Sequence, residues 1–261
     1  MQVWSELQTL AFAFFVPATV LGLLERAYPA QPDQPLLRPQ LPTDLLYFLG
    51  QYFLWRALSL SALSEIQLRL DAWLPSLLRA RVAAQPLWLQ LCEAVLISDL
   101  CTYLGHRLQH HSAFLWRFHA VHHSAEHLDW LAAYREHPLD GLYTQIMVNL
   151  PVLLLGLRFE PLIALYTFRG LWAIFIHSNV RISLGPLRVL LGSPELHHWH
   201  HARDRFHGNY ANLSPLWDLL FGTYRCPPKE PDSVGLCEPF PRGYVKQLVW
   251  PFLPRGPVDP R

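Results

Sequence analysis

The sequence predicts an all-α integral membrane protein, a helical bundle of about four membrane-embedded helices or hairpins with a cytoplasmic, histidine-rich helical cap. Of its 261 residues, 51% are hydrophobic and only 16% are charged, whereas about a quarter are charged in ordinary soluble domains. All 14 histidines lie between His106 and His207. Apolar segments before and between the histidines therefore predict the membrane helices, and the confined histidines indicate one shared task.

Four apolar segments are candidates for the membrane-embedded elements: 7–24, 45–63, 87–104 and 143–176. The first lacks a basic n-region and a small-residue cleavage site, which favours a retained helix over a signal peptide. The last is broken near Gly156, Arg158 and Pro161, and it is long enough for a hairpin that crosses and returns. A large soluble all-helical core is the alternative.

The first histidine motif, HRLQHH, places His106 and His110 four residues apart. On a helix this spacing puts both imidazoles on one face, where they can converge on one metal. Asp99 lies on the same helical stripe and could accept the free ring N–H of a ligating histidine. A hydrogen bond between helices is the alternative role for Asp99.

Two further motifs, HAVHH and HHWHH, repeat the spacing HxxHH. They contribute His119, His122, His123, His197, His200 and His201. One helical turn of this pattern can present three imidazoles to two adjacent metals. Eight histidines exceed the three or four protein ligands that one zinc needs, so the motifs predict a dinuclear site.

Several other chemistries lack their motifs. The sequence has no HExxH, GxSxG or CxxCH, and its four cysteines form no CxxC pair. Imidazole suits Fe, Cu, Ni and Zn alike, so the ligand set by itself leaves a membrane zinc hydrolase open. A metal transporter or sensor is the non-enzymatic alternative, but it predicts ligands at mid-membrane depth, whereas the second and third motifs lie in polar segments.

The three motifs and their surroundings, from Asp99 to Thr223, resemble the fatty acid hydroxylase and sterol desaturase superfamily of membrane histidine-box oxygenases. The stretch DLCTYLGHRLQHHSAFLWRFHAVHHS resembles the first two histidine boxes, and REHPLD and HSN resemble two shorter boxes. HHWHHARDRFHGNYANLSPLWDLLFGTY resembles the last box with its WDxLFGT signature. One departure is Ala211 in NYA, where glycine is commoner, and it questions the local backbone geometry.

The resemblance implies two Fe ions, O2 as co-substrate, and hydroxylation or desaturation at an unactivated C–H bond of a lipid. The expected lipid is a sterol, a fatty acyl chain or a related molecule. The sequence has no GxGxxG fingerprint for a dinucleotide, so the electrons are expected from a separate electron-transfer protein or reductase. A net charge of +1 gives no indication of nucleic-acid binding.

Positions in the shorter boxes extend the expected site. His137 in REHPLD and His177 in HSN are predicted to complete the metal ligands. Arg135, Asn179 and Asp218 are candidates for orienting them, and surface pairing is the alternative for the arginine and Asp218. The remaining histidines are expected outside the ligand set: His111, His127, His198 and His207. Pairing of His106 with His111 is an alternative.

The domain expectation has three parts: residues 1–98 form membrane helices and connecting loops, residues 99–223 form the histidine-box catalytic domain with its membrane hairpin, and residues 224–261 form a surface tail. If three helices precede the first motif, most of the 21 Lys and Arg lie on the histidine side. The positive-inside rule then places the active site of this multi-pass protein in the cytoplasm.

Overall fold

The computed structural model describes residues 2–157, 163–203 and 207–254, and it is helical, with no extended strand in those ranges. This confirms the all-α prediction. The α-helices are α1 Gln2–Ala27, α2 Leu41–Gly50, α3 Arg56–Trp73, α4 Ser76–Ala83, α5 Leu87–His111, α6 Ala113–His123, α7 Pro138–Leu155, α8 Ile163–His177, α9 Pro194–His200, α10 Leu216–Leu220 and α11 Tyr244–Val249. A π-helical turn, Gln51–Trp55, joins α2 to α3, and short 3-10 turns lie at Ala132–Tyr134, Gly185–Val189 and Trp250–Phe252.

Each apolar segment of the sequence lies within helices. The segment 143–176 forms α7 and α8, and α7 ends at Gly156, whose φ of 68° is left-handed and suits glycine. Arg158 and Pro161 lie outside the described residues. By length and apolarity, two helices of the described ranges could cross a membrane, Leu10–Ala27 and Leu87–His111. A bundle of four membrane-embedded elements is therefore still a prediction.

Large apolar side chains cover the outside of α1 and of the helix formed by α2 and α3. Phe12, Phe15, Phe53 and Leu68 are all more than half exposed, and Trp73 is 87% exposed. A contiguous apolar surface of this kind is uncommon on soluble monomers and marks an interaction surface or a membrane.

Helices α5, α6 and α7 pack together, and the first two histidine motifs lie on α5 and α6; the third lies at α9, which packs against α8. The side chain of Ser112 caps α6 by accepting a bond from Leu115 N, which fixes the sharp turn between α5 and α6. At the contact of α5 with α7, Gly105 allows a close approach, because a Cβ there would lie 2.7 Å from Met147 Cγ. The turn brings the first two histidine motifs together, with Nε2 of His106 3.1 Å from Nε2 of His119.

A buried ionic network supports the loop that follows α6. The guanidinium of Arg38 binds Asp129 at 2.6 Å and also pairs with Asp44, while Arg135 Nε donates to Asp44 Oδ1 at 2.5 Å. Arg135 also donates to Gln40 and is fully buried. The surface pairing considered for Arg135 is therefore wrong, because its partners come from an earlier helix and loop that cover it.

The segment after residue 224 packs back onto the protein. Trp250 is buried in an apolar cluster with Trp116 and Ala120 of α6. The side chain of Gln247 is also buried and donates to the carbonyl oxygen of Pro241. This segment covers the outer face of α6, whose other face carries histidines.

Candidate metal centre

Nine histidines form two adjacent groups whose ligand atoms lie within 4.8 Å of one another in each group. The first cluster consists of His106, His110, His119, His123 and His200. The second cluster consists of His122, His177, His197 and His201. All eight histidines of the three motifs are included, and His177 joins them as the sequence predicts.

The HxxHH motifs divide their imidazoles between the two clusters. In α6, His119 and His123 enter the first cluster and His122 enters the second. At α9 the division is reversed: His200 enters the first cluster, and His197 and His201 enter the second. In both motifs, positions i and i+4 share a cluster and position i+3 serves the other. Each helix therefore bridges two neighbouring metal positions.

Backbone carbonyl oxygens fix the orientation of four imidazoles through Nδ1. The pairs are His106 with Tyr210 O at 2.7 Å, His122 with Arg135 O at 3.0 Å, His177 with Ala173 O at 2.6 Å, and His200 with Gly208 O at 2.9 Å. A carbonyl oxygen can only accept, so Nδ1 carries the proton and Nε2 presents a lone pair. This is the tautomer that binds a metal through Nε2.

The lone pairs face one another at distances that require a cation between or beside them. Nε2 of His122 lies 3.0 Å from Nε2 of His177, and neither nitrogen carries a proton if both Nδ1 atoms donate. In the first cluster, Nε2 of His110, His123 and His200 is buried without a hydrogen-bond partner. In the second cluster, Nε2 of His197 lies 2.9 Å from Nε2 of His177 and 3.1 Å from Nε2 of His201. Buried polar atoms without partners are costly. Metal ions in both clusters would satisfy these lone pairs, so the donor set fits a dinuclear site.

Burial holds the imidazoles in the neutral form that metals need. It lowers the pKa of His119 to about 3. Burial, followed by the neighbouring imidazoles, also lowers the pKa values of His123 and His201 well below their usual range. A charged imidazole is disfavoured in such surroundings, and only the neutral ring coordinates a metal.

Asp140 orients the first cluster, and the sequence analysis missed this role. Its Oδ2 accepts from Nδ1 of His119 at 2.9 Å, and its Oδ1 accepts from Gln109 Nε2 at 2.6 Å. Burial raises the pKa of the Asp140 carboxyl. The only signal in the sequence was its place at the end of REHPLD, and spacing along the chain gave no reason to pair it with His119.

Asp99, by contrast, contacts no histidine of the clusters. It accepts from the backbone N–H groups of Leu213 and Ser214 and from Trp217 Nε1, at 3.1 to 3.3 Å, and it lies 3.4 Å from Arg169. The structure therefore corresponds to the alternative role, in which Asp99 joins α5 to other elements. The ring proton of His106, on the same helical stripe, binds Tyr210 O instead.

Asp218 acts on the site through the backbone. It accepts from the N–H groups of Tyr210 and Ala211, both at 2.9 Å, and so fixes the loop whose carbonyl oxygen orients His106. In this loop Asn209 has a φ of 53°, and Ala211 is not among the residues with positive φ. Alanine in place of the commoner glycine is therefore compatible with the backbone.

Arg135 and Asn179 also support the site without their side chains touching a histidine. The carbonyl oxygen of Arg135 binds His122, and its guanidinium belongs to the buried ionic network. Asn179 Oδ1 accepts from the N–H of Gln31 at 2.8 Å, which ties the end of α8 beside His177 to the loop after α1.

The structure leaves His137 outside both clusters, contrary to the expectation. Its Nδ1 accepts from Leu139 N at 3.2 Å and caps α7, while its Nε2 lies 3.1 Å from Leu248 O. Both ring nitrogens are therefore engaged by the backbone. Helix α7 begins at the proline at position 138, so the His137 ring caps the N-terminus of this helix.

The other four histidines lie outside the clusters as predicted. His198 is buried, with Nδ1 2.8 Å from Glu230 Oε2 and Nε2 2.9 Å from Ser178 O. Its ring points away from its neighbour His197, as one residue of rotation along a helix requires. His111, His127 and His207 also belong to neither cluster.

A cavity of about 210 Å³ opens onto both clusters. Histidines of both line it: His106, His119, His122, His177 and His197. A small molecule in this cavity would therefore lie beside both metal positions.

The fold and the site define a helical protein with two long apolar helices and two adjacent, buried histidine clusters that could hold metal ions. The chain belongs to the fatty acid hydroxylase family, whose sequence profile matches residues 91–223. This result confirms the resemblance carried by the histidine boxes.

Curated relatives of the chain oxidise lipids by name. It is 32% identical over 174 residues to ornithine lipid hydroxylase of Rhizobium tropici, covering 66% of this chain and 53% of that protein. It is 35% identical over 136 residues to human alkylglycerol monooxygenase, covering 51% of this chain and 30% of that protein. It is 29% identical over 133 residues to a Delta(7)-sterol 5(6)-desaturase of Gibberella zeae, covering 51% of this chain and 37% of that protein. The chain thus spans about half or less of their lengths, and no solved structure matches it.

Proposed function

We propose that this chain binds two iron ions and catalyses the O2-dependent oxidation of an unactivated C–H bond in a lipid, by hydroxylation or desaturation. The observation that carries the proposal is the pair of adjacent histidine clusters on one cavity. Imidazole ligands alone do not select iron. Iron and O2 are favoured because the matched relatives are named as a hydroxylase, monooxygenases and desaturases.

The first cluster would hold one iron and the second cluster the other. Iron bound there would supply the reduction of O2 and the removal of hydrogen from the alkyl carbon. The chain supplies orientation, because the carbonyl oxygens at His106, His122, His177 and His200 fix the metal-binding tautomer. It also shields the site, since the rings of both clusters are almost wholly buried and bulk water is kept from the reacting groups.

The membrane arrangement is part of the proposal. The exposed apolar side chains of α1, α2 and α3 support insertion in a bilayer, and the lipid substrate would then reach the site from the membrane. The distribution of Lys and Arg supports a multi-pass topology with the site facing the cytoplasm. Electrons would come from a separate electron-transfer protein.

The topology can be tested with single cysteines introduced after all four free cysteines, Cys92, Cys101, Cys226 and Cys237, are replaced by serine. Lys229→Cys, on the histidine side, should react with an impermeant thiol reagent only after the cytoplasmic face is opened. Ser76→Cys, at the start of α4, should react from the opposite face. The reverse pattern would contradict the proposed orientation.

The chemistry can be tested on purified protein loaded with iron, with zinc or with neither. We expect about two metals per chain and an oxidised lipid product that requires iron, O2 and an electron source. Hydrolysis of a lipid by the zinc-loaded protein, without an oxidised product from the iron-loaded protein, would favour the hydrolase alternative. Transport of metal without lipid oxidation would favour the transporter alternative. Either result would contradict the proposal.

A further inference from the structure

Three neighbouring hollows with shared lining residues lie between the apolar surface and the histidine clusters. The cavity at the histidines shares Glu136 and Gln145 with a groove of about 520 Å³ between α3 and α7. This groove shares Tyr52, Arg56 and Leu60 with an outer hollow of about 360 Å³, which reaches Phe53 on the exposed apolar surface. A long, thin molecule could therefore lie with one end beside the metals and the other end towards the lipid.

The inner end of this path is polar. Beside Glu136, the cavity is lined by Thr102, Gln109, Tyr143, Thr144, Gln145 and Asn212. An alkyl chain placed there would remove these groups from water without giving them hydrogen bonds, which costs free energy. The path therefore suits a lipid whose polar end lies beside the histidines and whose apolar tail extends outwards along α3.

Glu136 is the acidic group at the neck between the cavity and the groove. Its Oε1 has a single long hydrogen bond, from Thr144 Oγ1 at 3.4 Å. Its Oε2 lies against the bare Cα of Gly141, where a Cβ would be only 2.7 Å away. No cationic side chain of the described residues forms an ion pair with Glu136. Burial and the nearby Asp140 raise the pKa of Glu136, so its anionic form needs a partner.

We propose that Glu136 binds an ammonium group in the head group of the lipid substrate. This inference rests on the proposed function for the view that the cavity is the reaction centre. An anionic head group would be repelled by Glu136. Its partner would be the exposed Arg56, which lines both the groove and the outer hollow. The structure thus selects an amino-group-bearing amphiphile over a free fatty acid or an uncharged alcohol.

The test compares hexadecylamine with hexadecanol, which share one alkyl chain and differ in the head group. Binding to the metal-loaded protein in detergent is measured by native mass spectrometry. Glu136→Gln keeps the side-chain size and the acceptor for Thr144 but removes the charge. Glu126→Gln is the matched control, because Glu126 pairs with Arg242 outside these hollows.

The wild type and Glu126→Gln should bind the amine about tenfold more tightly than the alcohol, the effect of one charged hydrogen bond. Glu136→Gln should lose this preference and keep its metal content. Gln145→Glu adds a carboxyl at an exposed position of the same neck, and it should increase the preference by about threefold.

Equal affinities in the wild type, or an undiminished preference in Glu136→Gln, would overturn the inference. Loss of metal from Glu136→Gln would also overturn it, since Glu136 would then be balancing the charge of the metals. A failure of Gln145→Glu to raise the preference counts against it in the same way. Because binding is measured without turnover, absence of O2-dependent product alongside the expected preferences would refute the proposed function and leave this inference standing.

Discussion

Replacing Asp140 with asparagine should weaken metal binding in the first cluster while preserving the shape of the site. Asp140 accepts two hydrogen bonds, one from His119 and one from Gln109. Asparagine has one oxygen, so one of these two donors would face an NH2 group. The Gln109 amide can turn over and accept from that NH2 group, but His119 is then held by a neutral amide, and the charge-assisted hydrogen bond that orients it is lost.

The size of the effect follows from what the bond does. Loss of a partner that orients a metal-binding histidine typically lowers metal affinity by 10- to 100-fold, which corresponds to about 1.4 to 2.7 kcal/mol. Titration with a chelator, followed by metal analysis, should show the metal of the first cluster leaving at lower chelator concentrations. The metal of the second cluster should stay, because Asp140 contacts none of its histidines.

The double variant Asp140→Asn/Gln109→Glu is the matched control. It exchanges the two groups, so that an amide at position 140 accepts from His119 and donates to a carboxylate at position 109. Buried charge is conserved, and most of the lost affinity should return. If Asp140→Asn binds both metals as tightly as the wild type, or if the double variant loses more metal than the single one, the role assigned to Asp140 is wrong.

Four other substitutions test three separate parts of the structure. His177→Ala should release the metal of the second cluster. His198 is buried but lies outside both clusters, so His198→Ala should retain both metals by metal analysis. The opposite result would contradict the assignment. His137→Ala should keep both metals and lower the free energy of unfolding by about 0.5–2 kcal/mol through loss of the α7 cap. Loss of metal from this variant would show that His137 is a metal ligand. Asp44→Asn should destabilise the protein by about 3–5 kcal/mol in denaturant unfolding, because Arg135 is left buried without its charge partner; a change below about 1 kcal/mol would refute the network's importance.

The sequence by itself determined the helices and the eight motif histidines that meet in the two clusters, because both depend on local periodicity. Apolar runs predicted the helical segments, and the HxxxH and HxxHH spacings predicted eight ligands. These residues lie within one or two turns of their motif partners, so the geometry of a single helix already brings their rings together. The match to the fatty acid hydroxylase family rests on the same local patterns.

Only the tertiary structure decided which residues surround those ligands. Asp99 has the helical spacing of an orienting carboxylate but contacts the segment near Trp217, whereas Asp140 comes from another helix and binds His119. His137 and His177 both lie in family boxes, yet the first caps a helix and the second faces a cluster. Contacts between segments distant in the chain depend on how helices pack, and spacing along one helix carries no information about that packing.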